Sequence, residues 1–208
     1  MSGSEPDHHM EEWNSDSVLT ESHNCYAYAV KGVDPALLKK CMDTKDCNVG
    51  FPQPGYASGY EKFSENKHKG CADMFARLSG DNPGIRPTTF EEKCPFGFSK
   101  IALILDKKRD YHFAMQSSNG MWYHKPGAME VTNLDASGRP ILRPDRSLFM
   151  YTRHKFPLTY TRFCGYYCVP RNKEIHIKTE IREGGAVPSW RLPTPRRQTR
   201  RKSRDVSP

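Results

Sequence analysis

The sequence predicts an α+β fold in which short helices come first and a mainly antiparallel sheet follows. Helical patterns begin at Cys25 and end near Leu78, strand-like runs dominate after Pro83 and Pro87, and no internal repeat is visible. With 208 residues, 36% of them hydrophobic, the chain has enough apolar material for one ordinary core. We therefore expect one domain, residues 22–183, between two tails.

Three segments have the pattern of helices. The first, Tyr26 to Val30, follows Cys25, which we expect at the helix N-terminus. Asp34 and the proline after it are typical of a first helical turn, so Pro35–Met42 is the second predicted helix. Tyr60–Leu78 is predicted as the third.

Four runs rich in β-branched and aromatic residues predict strands: Lys100–Leu105, Tyr111–Ser117, Met121–Lys125 and Phe163–Val169. Apolar and polar residues alternate from Glu174 to Ile181, which is typical of a half-exposed edge strand. Glycines and prolines make residues 43–59 a long loop, and long loops in compact domains are often functional. No element is assigned to Asp135–Pro157, which is also rich in glycine and proline.

The two ends of the chain carry opposite charges. The first 21 residues hold six acidic residues and no Lys or Arg, which predicts a solvated, disordered leader. Residues 184–208 are predicted as a disordered tail, in which residues 191–208 hold seven basic residues and one acid. Such a tail is a candidate for binding nucleic acid or an acidic protein, for nuclear import, or simply for solubility. The candidate binding residues are Arg196, Arg197, Arg200, Arg201, Lys202 and Arg204.

The cysteines and the N-terminal sequence bear on location. Seven cysteines, an odd number, favour reduced thiols over a closed disulfide framework. Because the chain has neither a secretory leader pattern nor a membrane span of roughly 20 apolar residues, we expect a soluble protein of the cytoplasm or nucleus. Association with a virion and secretion with disulfides are the alternatives.

Two cysteines share a predicted strand. Cys164 and Cys168 lie on one face of it, and core packing is the favoured interpretation. The alternative is a zinc site completed by other cysteines, namely Cys41, Cys47, Cys71 and Cys94. The chain lacks a closely spaced Cys-x2-Cys pair, so we predict no metal or other cofactor.

The spacing of one cysteine and two histidines predicts a thiol hydrolase. A thiol is a good nucleophile only as thiolate, and a helix N-terminus lowers the pKa of a thiol. Catalysis also needs an imidazole to accept the proton, and a polar group to hold that imidazole in the useful tautomer. We therefore predict Cys25 as the nucleophile, His112 as its base and His124 as the group that orients the base.

The turn between the two histidine strands decides whether this site can form. A two-residue turn at Asn119-Gly120 would place the histidines on opposite faces of the sheet. A three-residue loop over residues 118–120, with its glycine in the left-handed conformation, would instead place His124 opposite Ala114. His124 would then lie diagonal to His112 on one face, within reach of its imidazole. Both loops are consistent with Asn-Gly, and the site requires the second.

The order of these residues resembles the NlpC/P60 superfamily of papain-like cysteine peptidases and, more loosely, the CHAP amidases. The likeness rests on the cysteine at a helix start and on the hairpin HFAMQSSNGMWYH, residues 112–124. In that family a histidine begins one strand, a Gly-rich turn follows, and a histidine ends the next strand. The resemblance implies a papain-like fold, the same roles for Cys25, His112 and His124, and hydrolysis of a peptide or amide substrate through an acyl-enzyme.

The nucleophile segment indicates a divergent branch of that family. Asn24-Cys25-Tyr26-Ala27 stands where the family usually has Asp-Cys-Ser-Gly. Gln53-Pro54-Gly55 and His124-Lys125-Pro126-Gly127 are similar to segments of poorly described proteins from bacteria and large DNA viruses. The competing function is a papain-like module that has lost catalysis and binds nucleic acid or an acidic partner through its basic tail.

Three polar residues near the predicted site have smaller expected roles. Asp110 is expected to end the loop before its strand, with assistance to the base His112 as the alternative. His23 and Asn24 are expected to cap the helix that begins at Cys25, and the Cys25 backbone N–H is a candidate oxyanion donor.

Overall fold

The computed structural model describes residues 1–47, 50–63, 70–106, 110–152, 157–173, 175 and 177–179. The α-helices are α1 (Met10–Ser15), α2 (Ser17–Ser22), α3 (Cys25–Val30), α4 (Pro35–Thr44) and α5 (Cys71–Asp81). The β-strands are β1 (Arg86–Thr88), β2 (Phe98–Asp106), β3 (Asp110–Gln116), β4 (Trp122–His124), β5 (Met150–Tyr151), β6 (Leu158–Thr159) and β7 (Arg162–Pro170). The predicted α+β class is confirmed.

Five of the strands form one antiparallel sheet. Their order is β1-β7-β2-β3-β4, and every neighbouring pair runs antiparallel. The four predicted strand runs correspond to β2, β3, β4 and β7. Because β3 carries His112 and pairs with β4, which carries His124, the sheet brings the two histidine strands side by side.

The sheet is buried on both faces. On the helix face, Leu103, Tyr111 and Phe113 pack in one core cluster with the residues of α3. On the loop face, Ile104 and Ala114 belong to a second cluster. That cluster also includes Ile141, Phe149, Tyr160 and Tyr166, which lie outside the helices. Successive side chains on a strand point to opposite faces, so neighbours in sequence enter different clusters.

Helix α3 lies at the centre of the helix face. All six of its residues are buried, as expected for a short helix that is apolar all round. Asn24 precedes it, and the Asn24 side chain accepts a hydrogen bond from the Ala27 N–H at 3.2 Å. The predicted helix start and the predicted cap at Asn24 are confirmed.

The segment Asp135–Pro157, which had no assignment from sequence, supplies much of the loop face. It contributes the buried side chains of Ile141 and Phe149, a 3₁₀ turn at Pro144–Arg146, and strand β5. Its order comes from side-chain burial and not from a regular pattern. For that reason no periodicity in the sequence reveals it.

The acidic leader is ordered, which corrects the prediction for residues 1–21. It includes α1 and most of α2, and the side chains of Trp13 and Leu19 are buried in the helix-face cluster. The Asn14 amide donates to the carbonyl of Val131 at 3.1 Å and accepts from the Val131 N–H at 2.7 Å. Net charge suggested disorder, but burying each large apolar side chain contributes on the order of 2 kcal/mol.

Six of the seven cysteines form disulfides, which corrects the prediction of reduced thiols. The pairs are Cys41–Cys47, Cys71–Cys164 and Cys94–Cys168. Cys164 and Cys168 are therefore not free core thiols, since each joins β7 to a distant segment. The seventh cysteine, Cys25, is unpaired and buried. The odd count reflects one free thiol, and two pairs are separated by 93 and 74 residues, too far for spacing to reveal them.

The remaining differences concern boundaries. The third predicted helix corresponds to α5, which begins at Cys71, so the predicted start at Tyr60 is too early. Residues 64–69 are not among the described residues. Of the predicted edge strand, Ile175 and residues 177–179 are described and do not form a strand. Residues 180–208, with the whole basic tail, are outside the described part of the chain. Within that part, no helix has the length and apolarity needed to cross a membrane.

Candidate active site

The turn between β3 and β4 is the three-residue loop that the site requires. The Ser117 N–H donates to the Met121 carbonyl at 2.9 Å, and Gly120 has φ of 82°, in the left-handed region. His124 pairs with Ala114 across the two strands. The predicted register is confirmed, and both predicted histidines point to the loop face.

A chain of hydrogen bonds links the two imidazoles and determines their tautomers. His112 Nε2 lies 2.6 Å from His124 Nδ1, and His124 Nε2 lies 2.9 Å from the carbonyl oxygen of Leu134. Because a carbonyl oxygen only accepts, His124 Nε2 carries a proton, and the neutral ring accepts at Nδ1. His112 Nε2 must then be the donor between the rings. His112 Nδ1 is left without a proton, as a general base requires. We name this chain the imidazole relay.

Burial keeps the imidazole relay uncharged. The side chains of His112 and His124 are 2% and 0% exposed. Burial lowers the pKa of His112 well below its ordinary value, and the neighbouring His124 adds to the effect. Burial also lowers the pKa of His124 to about 4, although the Leu134 carbonyl and Asp135 favour its charged form. Both rings are therefore neutral at pH 7, which agrees with the tautomers deduced from the hydrogen bonds.

Aromatic rings pack around the relay on the loop face. The rings of Phe149 and Tyr160 lie 5.5 and 5.1 Å from the His112 ring, centroid to centroid. The Tyr160 hydroxyl donates to Asp110 Oδ2 at 2.8 Å. Burial raises the pKa of Asp110 to about 6, although that bond and the Tyr111 N–H favour the carboxylate. Asp110 therefore bonds to the tyrosine that covers His112 and, among the described residues, makes no hydrogen bond to His112 itself.

The Cys25 thiol lies against the open edge of β3. Its Sγ donates to the Tyr111 carbonyl at 3.8 Å, and the Phe113 backbone provides a further hydrogen bond. Tyr111 and Phe113 flank His112, so the predicted nucleophile sits beside the backbone of the predicted base. No hydrogen bond within the described residues joins Sγ to a His112 ring nitrogen. The structure thus bonds the two histidines directly and places the thiol next to them without a direct bond.

The thiol is neutral in this arrangement. Cys25 is 4% exposed, and burial raises the pKa of its thiol to about 12, with a further increase from the charge of Asp110. Backbone hydrogen bonds from Phe113 and Tyr26 and the charge of Lys125 act in the opposite direction. A helix N-terminus was expected to lower this pKa. Helix α3 has only six residues, and the desolvation of a buried thiolate outweighs its N-terminus.

A loop that precedes the sheet is held beside the nucleophile, and the sequence did not identify its contacts. The Asn24 amide donates to the Pro52 carbonyl at 3.1 Å and to the Tyr111 hydroxyl at 3.2 Å. The Tyr111 hydroxyl in turn donates to Gln53 Oε1 at 3.0 Å. The richness of residues 43–59 in glycine and proline was the available signal, since it indicated a functional loop without naming a residue. The Lys125 side chain near Cys25 was also missed.

Two further predictions from sequence concern the basic tail and the absence of a metal. The tail residues Arg196, Arg197, Arg200, Arg201, Lys202 and Arg204 lie outside the described residues, so binding of nucleic acid or an acidic partner stays a prediction. In the part of the chain that is described, no group of three or more His, Cys, Asp or Glu side chains is placed to hold a metal ion.

Comparison with known proteins provides one relative. The chain is 34% identical over 134 residues to insoluble matrix shell protein 1 of Ruditapes philippinarum. The match covers 64% of this chain and 75% of that protein. No family model and no solved structure matches the chain. The resemblance to the NlpC/P60 superfamily therefore stays a prediction.

Proposed function

This chain belongs to the family of insoluble matrix shell protein 1, and we propose that it is a cysteine hydrolase of peptide or amide bonds. Cys25 is the nucleophile, His112 the base and His124 the orienting group. One observation carries the proposal. The hydrogen bonds from the Leu134 carbonyl through His124 leave His112 Nδ1 unprotonated, on the stretch of β3 against which the only unpaired cysteine packs.

The proposed reaction starts from a neutral thiol and a neutral imidazole. The Cys25 thiol turns from the Tyr111 carbonyl to His112 Nδ1, and the sulfur attacks the acyl carbon as its proton passes to His112. The carbon–nitrogen bond breaks, the amine leaves with that proton, and a thioester remains on Cys25. Water then attacks the thioester while His112 accepts its proton. The acid departs, the proton returns to the sulfur, and one water molecule has been consumed.

The neutral starting state determines the pH dependence that we expect. The imidazolium at His112 exists only during each step, and His124 Nδ1 stabilises it by accepting a hydrogen bond from the His112 Nε2–H. The base works only when unprotonated, and the pKa of His112 is well below its ordinary value. His112 should therefore cause no loss of activity on acidification to about pH 6, where a histidine with an ordinary pKa of about 6.5 would lose activity.

The fold proposed for this site is papain-like. Two features support it: the nucleophile begins a buried helix packed on an antiparallel sheet, and the base and orienting group lie on adjacent strands of that sheet. The proposed reaction calls on the side chains of Cys25, His112 and His124 and on the Leu134 carbonyl.

We further propose that the chain works in an oxidising, extracellular matrix. Three disulfides persist only where thiols are not kept reduced, and they remove reduced thiols as one of the grounds on which a cytoplasmic or nuclear location was predicted. The relative's name places that protein in an insoluble shell matrix. Matrix polypeptides are then the substrates that this hydrolase would meet.

The test of the proposed function uses the full chain and p-nitrophenyl acetate, a simple activated acyl donor. We expect a burst of nitrophenol and an acetyl group on Cys25, located by peptide mass spectrometry under non-reducing conditions. Cys25→Ala should abolish the adduct. His112→Gln should slow its formation by roughly 10²–10⁴-fold, the usual contribution of a general base.

A matched control distinguishes loss of the general base from loss of a buried histidine without a catalytic role. His23 is also buried, with its pKa lowered to about 4 by burial, but it bonds to Ser22 and to the Asp34 N–H. His23→Gln should leave the acetylation rate within a few-fold of the natural chain. Equal losses in the His23 and His112 variants, or an acetyl group on no cysteine, would contradict the proposal.

The basic tail supports a second candidate function on its charge alone. Seven basic residues and one acid over residues 191–208 favour binding of nucleic acid or of an acidic matrix protein. Salt-dependent binding that disappears when residues 191–208 are removed is the expected result. Binding that persists without them would reject it.

A further inference from the structure

The side chain of Lys125 is fully buried at the end of the strand that carries His124. It is 0% exposed. Its ammonium donates to three main-chain carbonyls: those of His23 and Gly127, each at 2.7 Å, and that of Thr20. All three protons of the ammonium are therefore used, and none of the acceptors is a carboxylate. A buried cation held only by backbone is uncommon, since buried charges are usually paired.

The three carbonyls connect parts of the site that are far apart in sequence. Thr20 is in the last turn of α2 and His23 is its C-terminal cap, so their carbonyls belong to a helix end with partial negative charge. His23 lies two residues before Cys25, and Lys125 lies one residue after His124. One side chain thus joins the segment that enters the nucleophile to the segment that leaves the orienting histidine.

The charge of Lys125 also acts on the nucleophile. It lowers the pKa of the Cys25 thiol, against the larger effects of burial and Asp110. Burial lowers the pKa of Lys125 itself to about 7, whereas a Cys25 thiolate raises it. The three carbonyl acceptors favour the ammonium as well, because only the protonated amine can donate to all three.

We propose that Lys125 is a positioning residue that sets the Cys25 thiol against the imidazole relay by holding the α2–α3 junction to the end of β4. This inference rests on the proposed hydrolase function. Lys125 touches neither substrate nor the reacting atoms. It acts through the two backbone segments that it joins and, from a distance, through its charge. A displacement of about 1 Å between reacting groups can lower a rate roughly a hundredfold, so such a clamp has a measurable effect.

The competing explanation is a structural cation that only completes the end of α2. Arg171 provides the matched control for it. Its guanidinium donates to the Ala29 carbonyl at 2.9 Å, in the last turn of α3, and to Ser99 Oγ at 2.7 Å. Arg171 therefore holds a helix end as Lys125 does, but at the opposite end of α3 from Cys25.

The experiment compares Lys125→Met and Arg171→Met in the full chain. The midpoint temperature of thermal unfolding should fall in both variants. With p-nitrophenyl acetate, Lys125→Met should lower kcat roughly a hundredfold with KM within about twofold, and Cys25 alkylation by iodoacetamide should need higher pH. Arg171→Met should leave kcat and the alkylation profile unchanged. Unchanged kcat and alkylation in Lys125→Met would overturn the proposal.

A second variant covers the case in which Lys125→Met does not fold. Lys125→Gln keeps two N–H donors for the carbonyls but no charge, so we expect a kcat below that of the natural chain and Cys25 alkylation that needs higher pH. Natural kcat and natural alkylation in Lys125→Gln would also overturn the proposal. If the natural chain forms no acetyl-Cys25, the proposed hydrolase function is rejected. If the natural chain forms it and the Lys125 variants behave as the natural chain does, only the role of Lys125 is rejected.

Discussion

The two halves of the candidate site are built differently: Cys25 enters from the helix face and lies at the open edge of β3, whereas both histidines point to the loop face. On the helix face, a short helix places Cys25. Its cap at Asn24 is local in sequence, and the distant Pro52 and Tyr111 add hydrogen bonds to Asn24 and Cys25. On the loop face, Phe149 and Tyr160 pack on His112 from distant segments. Burial suppresses the charge of the thiol on one face and of the imidazoles on the other. The nucleophile and its base are thus both kept neutral by burial, among different neighbouring side chains.

The largest expected effect comes from breaking the imidazole relay on the loop face. His124→Phe removes the group that holds the His112 tautomer, and loss of the correct tautomer is worth about 10⁴-fold in kcat in comparable triads. His124→Gln is the matched variant, because its amide can donate to the Leu134 carbonyl and accept from His112 Nε2. We expect Gln to retain most of the acetylation rate that Phe loses, with circular dichroism unchanged in both. Equal rates in the two variants would show that no relay operates.

The next effect concerns the helix face and its disulfides. Cys71–Cys164 closes a separation of 93 residues between α5 and β7, whereas Cys41–Cys47 closes one of six. Chain entropy predicts that replacing the first pair by serines lowers the free energy of unfolding by about 4–5 kcal/mol, and the second by about 2. Guanidinium unfolding measures both. Acetylation of Cys25 should stay within about twofold in either variant, and a reversed order of stabilities would contradict the role given to loop length.

A smaller effect links the two faces through Asp110. Its folded pKa of about 6 is above the ordinary 3.8, so between these values the folded chain binds more protons than the unfolded chain. Stability from this carboxyl therefore falls as pH rises from about 4 to 6. Asp110→Asn has no carboxyl to titrate and so avoids that loss. We expect the free energy of unfolding of the variant, minus that of the natural chain, to be about 2–3 kcal/mol larger at pH 7 than at pH 4.

The same substitution reports on the thiol. Because the charge of Asp110 raises the pKa of Cys25, Asp110→Asn should speed iodoacetamide labelling at mildly alkaline pH. Tyr160→Phe is the control, since it removes the hydroxyl that stabilises the Asp110 carboxylate. It should show neither the higher relative stability at pH 7 nor the faster labelling of Cys25. A stability difference independent of pH would remove Asp110 as the link between the faces.

The parts of the fold that could be predicted are those with local signals. The cap at Asn24, the apolar run of α3 and the strand runs around His112 and His124 all lie within a few residues of the elements they specify. Asn119-Gly120 left two possible loops in the hairpin, and each loop fixes a different register of the two strands. The choice between them followed only from the requirement that both histidines face one way, and the backbone agrees with that choice.

The parts that could not be predicted depend on contacts between distant residues. The sequence does not show that Cys71 meets Cys164, or that the leader places Trp13 in the core. The burial that raises the thiol pKa and lowers the imidazole pKa is likewise a property of the packed structure. For the same reason the sequence does not show that the Lys125 ammonium lies inside the molecule.

The most direct test of the central claim is the protonation of His112, measured by ¹⁵N NMR of the histidine-labelled full chain. At pH 7 we predict a neutral His112 ring with its proton on Nε2 and none on Nδ1, and His124 in the same tautomer. A proton on Nδ1 of a neutral His112 ring would leave that atom unable to accept the thiol proton, and an imidazolium would show a charged resting state. Either result would contradict the account.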